Sequence, residues 1–272
     1  MNNDVSLQGE DLQKGEAVFA KGQILGPHQL AVIASAGYNK IKVFKKPQIV
    51  IIITGNELVE PTTNLKPGMI INSNKYALKA VVEDSWAVPH ICHCPDNKIQ
   101  LKNDVENAVN KYDAVITTGG TAISKGDLIV DIVKELGDVT FHGVSIKPGK
   151  PFGFGIVNQT PIFMLSGYPV AVAVQYDIFV RNYILKMQNK NNKFDMIKTV
   201  AGADVRSSAD KCNIVRAEFK KDENIVYPLK TKAGINKSIL KSNCYIISKE
   251  GVGKIKKGDK CMVMKYNSLN VC

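Results

Sequence analysis

Lys147-Pro148-Gly149-Lys150-Pro151 brings two ammonium groups near one point on a turn stiffened by two prolines, an arrangement that suits a phosphate or another oxyanion. Thr117-Thr118-Gly119-Gly120-Thr121, running on through Ser124 to Asp127, offers another anion-handling loop. Its paired glycines let backbone approach a ligand closely, hydroxyls flank them, and a predicted helix follows with unpaired N–H groups at its start. Ser166-Gly167-Tyr168-Pro169 has the same logic in a weaker form, since a serine and glycine before a first-turn proline also serve as ordinary helix capping. Against these stands Thr54-Gly55-Asn56-Glu57, which sets a carboxylate at a strand end. A carboxylate beside phosphate is repulsive unless a divalent cation such as Mg²⁺, or a ligand amino group, comes between them. Asp96 and Asp127 occupy similar positions after strands; each is also explained as a helix N-cap.

The elements that must position these loops alternate. Pro47–Thr54 is a continuous β-branched run, the pattern of a strand buried on both faces. Capping residues Asn72 and Ser73 open a helix through Val82, followed by a strand at 88–92, a helix at 96–111, a strand at 113–118, a helix at 127–136 and a strand at 139–146. Such alternation predicts βαβ units and an α/β fold with a mostly parallel sheet flanked by helices, where ligands bind outside the carboxyl ends of the strands. A hairpin is expected at 152–157 and 162–165, then one uninterrupted helix over Pro169–Met187. After the polar break at 188–193, short alternating runs predict a small C-terminal all-β barrel or sandwich. The expected organisation is a partial N-terminal segment over 1–46, an α/β domain over 47–188 and a β domain over 194–272.

Charge is distributed unevenly. Residues 1–185 hold 17 basic and 17 acidic side chains, whereas residues 186–272 hold 19 and 8, so the formal net charge of +11 belongs to the last third. Only Arg181, Arg206 and Arg216 among the 36 basic residues are arginine, which argues against base-edge readout of nucleic acid and favours a solvated lysine surface outside the predicted site. No apolar run approaches the length of a membrane span and the first residues lack a signal-peptide layout, so a cytoplasmic protein is expected. His90, Cys92, His93 and Cys94 are zinc-type residues, but strand alternation spreads them too far apart to converge on one ion.

Taken in order, Thr54–Leu58, Asn72–Tyr76, Thr117–Thr121, His142-Gly143, Lys147–Pro151 and Ser166–Pro169 resemble the molybdopterin molybdenumtransferases of molybdenum-cofactor biosynthesis, related to the E domain of gephyrin. The resemblance covers roughly residues 10–270. It implies a homodimer that binds molybdopterin or adenylated molybdopterin, takes up molybdate and releases AMP with Mg²⁺. It also implies catalytic roles for Glu57, Asp96, Asp127, Lys147 and Lys150, with Glu57 and Asp96 holding the metal. Substrate contacts are implied at Thr54, Gly55, Asn72, Ser73, Thr118, Gly119, Gly120, Thr121, Ser124, Pro148, Gly149, Ser166, Gly167 and Pro169. The chain departs from the family in several ways. A further domain and half of the dimer-forming domain, with an acid implicated in catalysis, precede the matched region in the family, so a partner chain supplying them is one expectation. Ile129 stands where the family often has a second acid after Asp127, and Ser166 and Tyr168 replace a proline and a smaller asparagine. A non-catalytic cofactor-binding or carrier protein is therefore the alternative expectation.

Overall fold

A computed structural model of the chain describes residues 5–119, 127–190, 194–229 and 237–266. The elements run α1 (Pro27–Ser35), β1 (Gln48–Thr54), β2 (Leu58–Val59), β3 (Ile70–Ile71), α2 (Ser73–Asp84), β4 (Val88–Cys94), α3 (Lys98–Lys111), β5 (Ala114–Thr118) and α4 (Leu128–Leu136). They continue with β6 (Asp138–His142), β7 (Ile146–Lys147), β8 (Gly153–Val157), β9 (Thr160–Leu165), α5 (Pro169–Gln175), a π-helical turn (Tyr176–Val180) and α6 (Arg181–Met187). The last third contributes β10 (Met196–Ala201), β11 (Cys212–Lys220), β12 (Ile225–Pro228), α7 (Lys237–Leu240), β13 (Cys244–Ser248) and β14 (Lys260–Lys265).

The first sheet has the strand order β4-β1-β5-β9-β8-β6; β4, β1, β5 and β9 are parallel, while β8 and β6 add antiparallel pairings. Its β-branched strands are buried on both faces because helices cover both. One layer joins Ile49, Ile51, Ile53, Ile116 and Leu165 to Leu78 and Val82 of α2 and to Val172 and Tyr176. The other joins Val50, Ile52, Val115 and Met164 to Leu101 and Val105 of α3 and to Ile129 and Val133 of α4. The predicted α/β fold is therefore present, with the carboxyl ends of β1, β5 and β9 side by side. Among the described residues no helix is long and apolar enough to cross a membrane.

The second sheet, β12-β10-β14-β13-β11, closes through a β12–β11 pairing into a five-stranded barrel. Three expectations about elements are corrected. The strand foreseen at 139–146 stops at His142; Gly143 turns at φ +97°, and β7 pairs instead with β11 of the barrel, Ile146 opposite Cys212 and Lys147 opposite Asn213. The helix foreseen from Asp96 begins at Lys98, because Asn97 supplies the cap by accepting the Gln100 N–H. The uninterrupted helix from Pro169 contains a π turn at a buried polar network. There Arg181 donates to Asp84 at 2.7 Å and to Asp177 at 3.3 Å, and Tyr245 of the barrel donates to Asp177 at 2.9 Å. Burial pushes the Asp177 carboxyl above its ordinary range despite that arginine. Residues 5–46 stand apart: α1 has no buried residue, and Leu7, Leu30, Tyr38 and Val43 are exposed.

Candidate functional site

The carboxyl ends of β1, β5 and β9 are drawn together closely enough to select glycine. A Cβ on Gly119, which has φ +95°, would lie 2.3 Å from the Thr54 carbonyl oxygen. Asn74, on the first turn of α2, donates to the Gly167 carbonyl at 2.8 Å and to Thr118 Oγ1 at 3.3 Å, while Thr118 donates to the Ser166 carbonyl at 2.9 Å. Three loops and one helix start thus form a cradle of short polar side chains, fixed by the sheet beneath it. Thr54 Oγ1, Ser166 Oγ and Asn74 Oδ1, and also Thr117 Oγ1 on the face of β5 opposite Thr118, are buried without a hydrogen-bond partner among the described residues. Each such atom costs about 1–3 kcal/mol. Four of them at one end of a sheet would be relieved by a polar ligand bound there.

Other foreseen residues have structural duties. Asn72 caps α2 by accepting the Lys75 N–H at 3.1 Å, with Ser73 starting the helix, and Pro169 occupies the first turn of α5. Asp127 caps α4 through Oδ1, and its Oδ2 lies 3.2 Å from His142 Nε2. Burial raises the Asp127 carboxyl pKa, partly offset by the Val130 N–H and by His142. Gly120, Thr121 and Ser124 lie outside the described residues.

Glu57 and Asp96 are exposed on adjacent loops, because Thr54 and Cys94 are register partners on parallel strands. Asp96 Oδ2 accepts the Asn56 N–H at 3.2 Å, while the Asp96 N–H donates to Asn56 Oδ1 at 3.1 Å, which ties the two loops together. Among the described residues no group of three or more His, Cys, Asp and Glu is placed to hold a metal ion. Exposed carboxylates are the ligand type that a hard cation such as Mg²⁺ takes, alongside water and phosphate oxygens.

Beside the cradle a cleft of about 1040 Å³ opens between the first sheet and the barrel. Ser166 lines it, with Lys147, Pro148, Gly149 and Lys150, and with Arg206, Lys211 and Arg216 of the barrel. Asp204 is the one acid on its walls among the described residues, and Lys254 pairs with it at 2.6 Å. Arg216 is buried and donates to Ser238. Burial lowers its pKa, a penalty that a bound anion would relieve. Tyr168 also lines the cleft and is 67% exposed. The basic excess of the last third therefore does not lie wholly outside the site. Two of three arginines line the cleft, brought there by the β7–β11 pairing, and composition by segment could not register that.

Residues 50–186 match the family model described as a probable molybdopterin binding domain. A putative molybdopterin biosynthesis protein of Methanocaldococcus jannaschii is 39% identical over 268 residues, 95% of this chain and 65% of that protein. The molybdopterin molybdenumtransferase of Haemophilus influenzae is 26% identical over 275 residues, 98% of this chain and 68% of that enzyme. Among solved structures, a molybdopterin biosynthesis protein of Pyrococcus horikoshii superposes with TM-scores of 0.84 and 0.78 in two crystal structures, at 30% identity, over 95% of this chain and 64% of that one. The chain thus spans somewhat less than two thirds of the length of several relatives it matches.

Proposed function

Because the chain belongs to the molybdopterin-binding family of molybdenum-cofactor biosynthesis proteins, we propose that it binds molybdopterin or adenylated molybdopterin across the cradle and takes molybdate into the cleft. The observation that carries this reading is the adjacency of the two regions. Neutral polar atoms without a hydrogen-bond partner among the described residues, Ser166 Oγ among them, lie at the strand ends, and Ser166 also lines the cationic cleft.

In this reading Thr118, Gly119 and Ser166, with the glycine loop beyond, hold the phosphate end of the pterin. Lys147, Lys150 and Arg216 gather the oxyanion by charge. Glu57 and Asp96 hold Mg²⁺, which when bound neutralises phosphate charge and polarises the phosphoanhydride. Asp127, held by the α4 cap and beside His142, supplies a carboxylate at the same end of the sheet. Among the described residues no side chain is disposed as an activated covalent nucleophile, and in this reading AMP release rests on positioning and electrostatic stabilisation. The exposed apolar side chains of residues 5–46 are covered by a second copy of the chain, giving a homodimer in the cytoplasm.

A carrier reading draws on the exposure of Glu57 and Asp96 and on the structural use of one Asp96 oxygen. Single-turnover AMP release from adenylated molybdopterin, with molybdate and Mg²⁺, separates the two. The transferase reading predicts release in the wild-type chain and its loss in Glu57→Ala with pterin binding retained. Tight binding without release in the wild type overturns it in favour of the carrier.

A further inference from the structure

α5 reads Pro-Val-Ala-Val-Ala-Val-Gln, and only its last side chain can hydrogen-bond. Gln175 is 0% exposed. Burying a primary amide in such surroundings is costly unless both its ends are paired, and a leucine of similar volume would pack there at no polar cost. Both ends are paired, to two different loops. Gln175 Oε1 accepts the Ser166 N–H at 2.9 Å, and Nε2 donates to the Gly149 carbonyl at 2.9 Å. The contacts also fix the amide's orientation, since an N–H needs an acceptor and a carbonyl needs a donor. Gly149 sits at φ +107°, and a Cβ there would come within 3.1 Å of Gln175 Cγ, so the loop backbone rests directly on this side chain.

We infer that Gln175 is a positioning residue that couples the neutral cradle to the cationic cleft. It locks the backbone between Lys147 and Lys150 to the residue whose carbonyl Thr118 holds. One amide thereby joins the lysine loop to the pterin end of the site, on a loop that is otherwise held by the β7–β11 pairing and by the Val144 N–H donating to the Lys150 carbonyl at 2.9 Å. This inference rests on the reading that Lys147 and Lys150 capture an oxyanion. The amide touches no substrate itself; it acts by preventing the lysine loop from shifting when it is pulled by an anion on one side or by solvent on the other.

The chemistry of the clamp gives a test with its own signature. A glutamate at position 175 can still accept from Ser166, but it donates to Gly149 only when protonated, and when ionised it repels that carbonyl. Molybdate alone is titrated by calorimetry at pH 6.0 and 8.5 into the wild-type chain, Gln175→Glu, Gln175→Leu and Lys150→Ala, with thermal unfolding as the check on folding. Gln175→Glu is expected to bind about tenfold more weakly than the wild type at pH 8.5 and within about twofold of it at pH 6.0, tenfold being about 1.4 kcal/mol. Gln175→Leu is expected to be about tenfold weaker at both pH values; should it not fold, the glutamate variant carries the test. Equal affinity of Gln175→Glu and wild type at pH 8.5, or a deficit in that variant that does not diminish at pH 6.0, overturns the inference. Should the wild type not bind molybdate, with Lys150→Ala the same, the oxyanion reading itself fails and the clamp's role falls with it. If the wild type binds, Lys150→Ala loses affinity and the Gln175 variants match the wild type, only the clamp is refuted.

Discussion

Cradle and cleft meet at Ser166 yet are built on opposite principles. The cradle uses short, neutral, buried groups held by the ends of parallel strands, with Gly119 pressed against Thr54 and Asn74 tying Thr118 to Gly167. The cleft uses long cationic side chains, Lys147 on β7 and Lys150 just after it, with Arg206 and Arg216 from the barrel segment that β7 pairs with. Fixed dipoles recognise shape at short range and respond little to salt, whereas net charges attract an anion from a distance and are screened. A ligand with a phosphate at one end and a small, doubly charged oxyanion as co-substrate makes use of both.

The sharpest way to break the cradle is Gly119→Ala. Its methyl would meet backbone, which cannot swing aside, in a φ region hostile to side chains. A cost of about 3 kcal/mol or more in urea unfolding is expected, with loss of pterin binding. The next largest effect separates the regions. Arg216→Ala should weaken molybdate binding at least tenfold, about 1.4 kcal/mol, and flatten its salt dependence. Thr118→Val removes one hydroxyl that donates to Ser166 and accepts from Asn74. It should cost about 1–1.5 kcal/mol of pterin affinity while leaving molybdate affinity within about twofold. If each variant weakened both ligands equally, the division of labour would be wrong.

The smallest effect concerns stability. Burial raises the Asp127 pKa above its unfolded value, so the folded state binds protons more readily. The stabilising contribution is therefore full below the unfolded pKa and is lost as pH rises through the raised folded pKa, leaving the ionised carboxylate a burden at neutral pH. Asparagine caps a helix as well as aspartate does. Asp127→Asn should accordingly raise the melting temperature at pH 7 modestly, with the gain shrinking toward pH 4; a lower melting temperature at pH 7 would refute the burial argument. Turnover should fall in the same variant.

Much of this was legible in the sequence because local pattern and tertiary role coincide. Gln48–Thr54 had to be a doubly buried strand, and the glycine, lysine and serine loops had to lie at strand ends. What escaped was whatever depends on contacts between distant segments. Arg206 and Arg216 join the cleft through a strand pairing 65 or more residues away in sequence, which no periodicity announces. Asn74 was visible only as part of a motif, and its bonds to Thr118 and Gly167 needed the fold. Gln175 left one faint signal, a lone amide on an otherwise apolar helix face. The π turn at 176–180 was hidden because its hydrophobic spacing still reads as helical.

The central claim, that one ligand spans a neutral cradle while the oxyanion occupies the cationic cleft, is tested most directly by anomalous diffraction from crystals grown with molybdopterin and tungstate. The tungsten peak is predicted between Lys147, Lys150 and Arg216, with the pterin phosphate at Thr118 and Gly119. A tungsten peak beside Glu57 and Asp96, or in the cradle with the cleft empty, would contradict it.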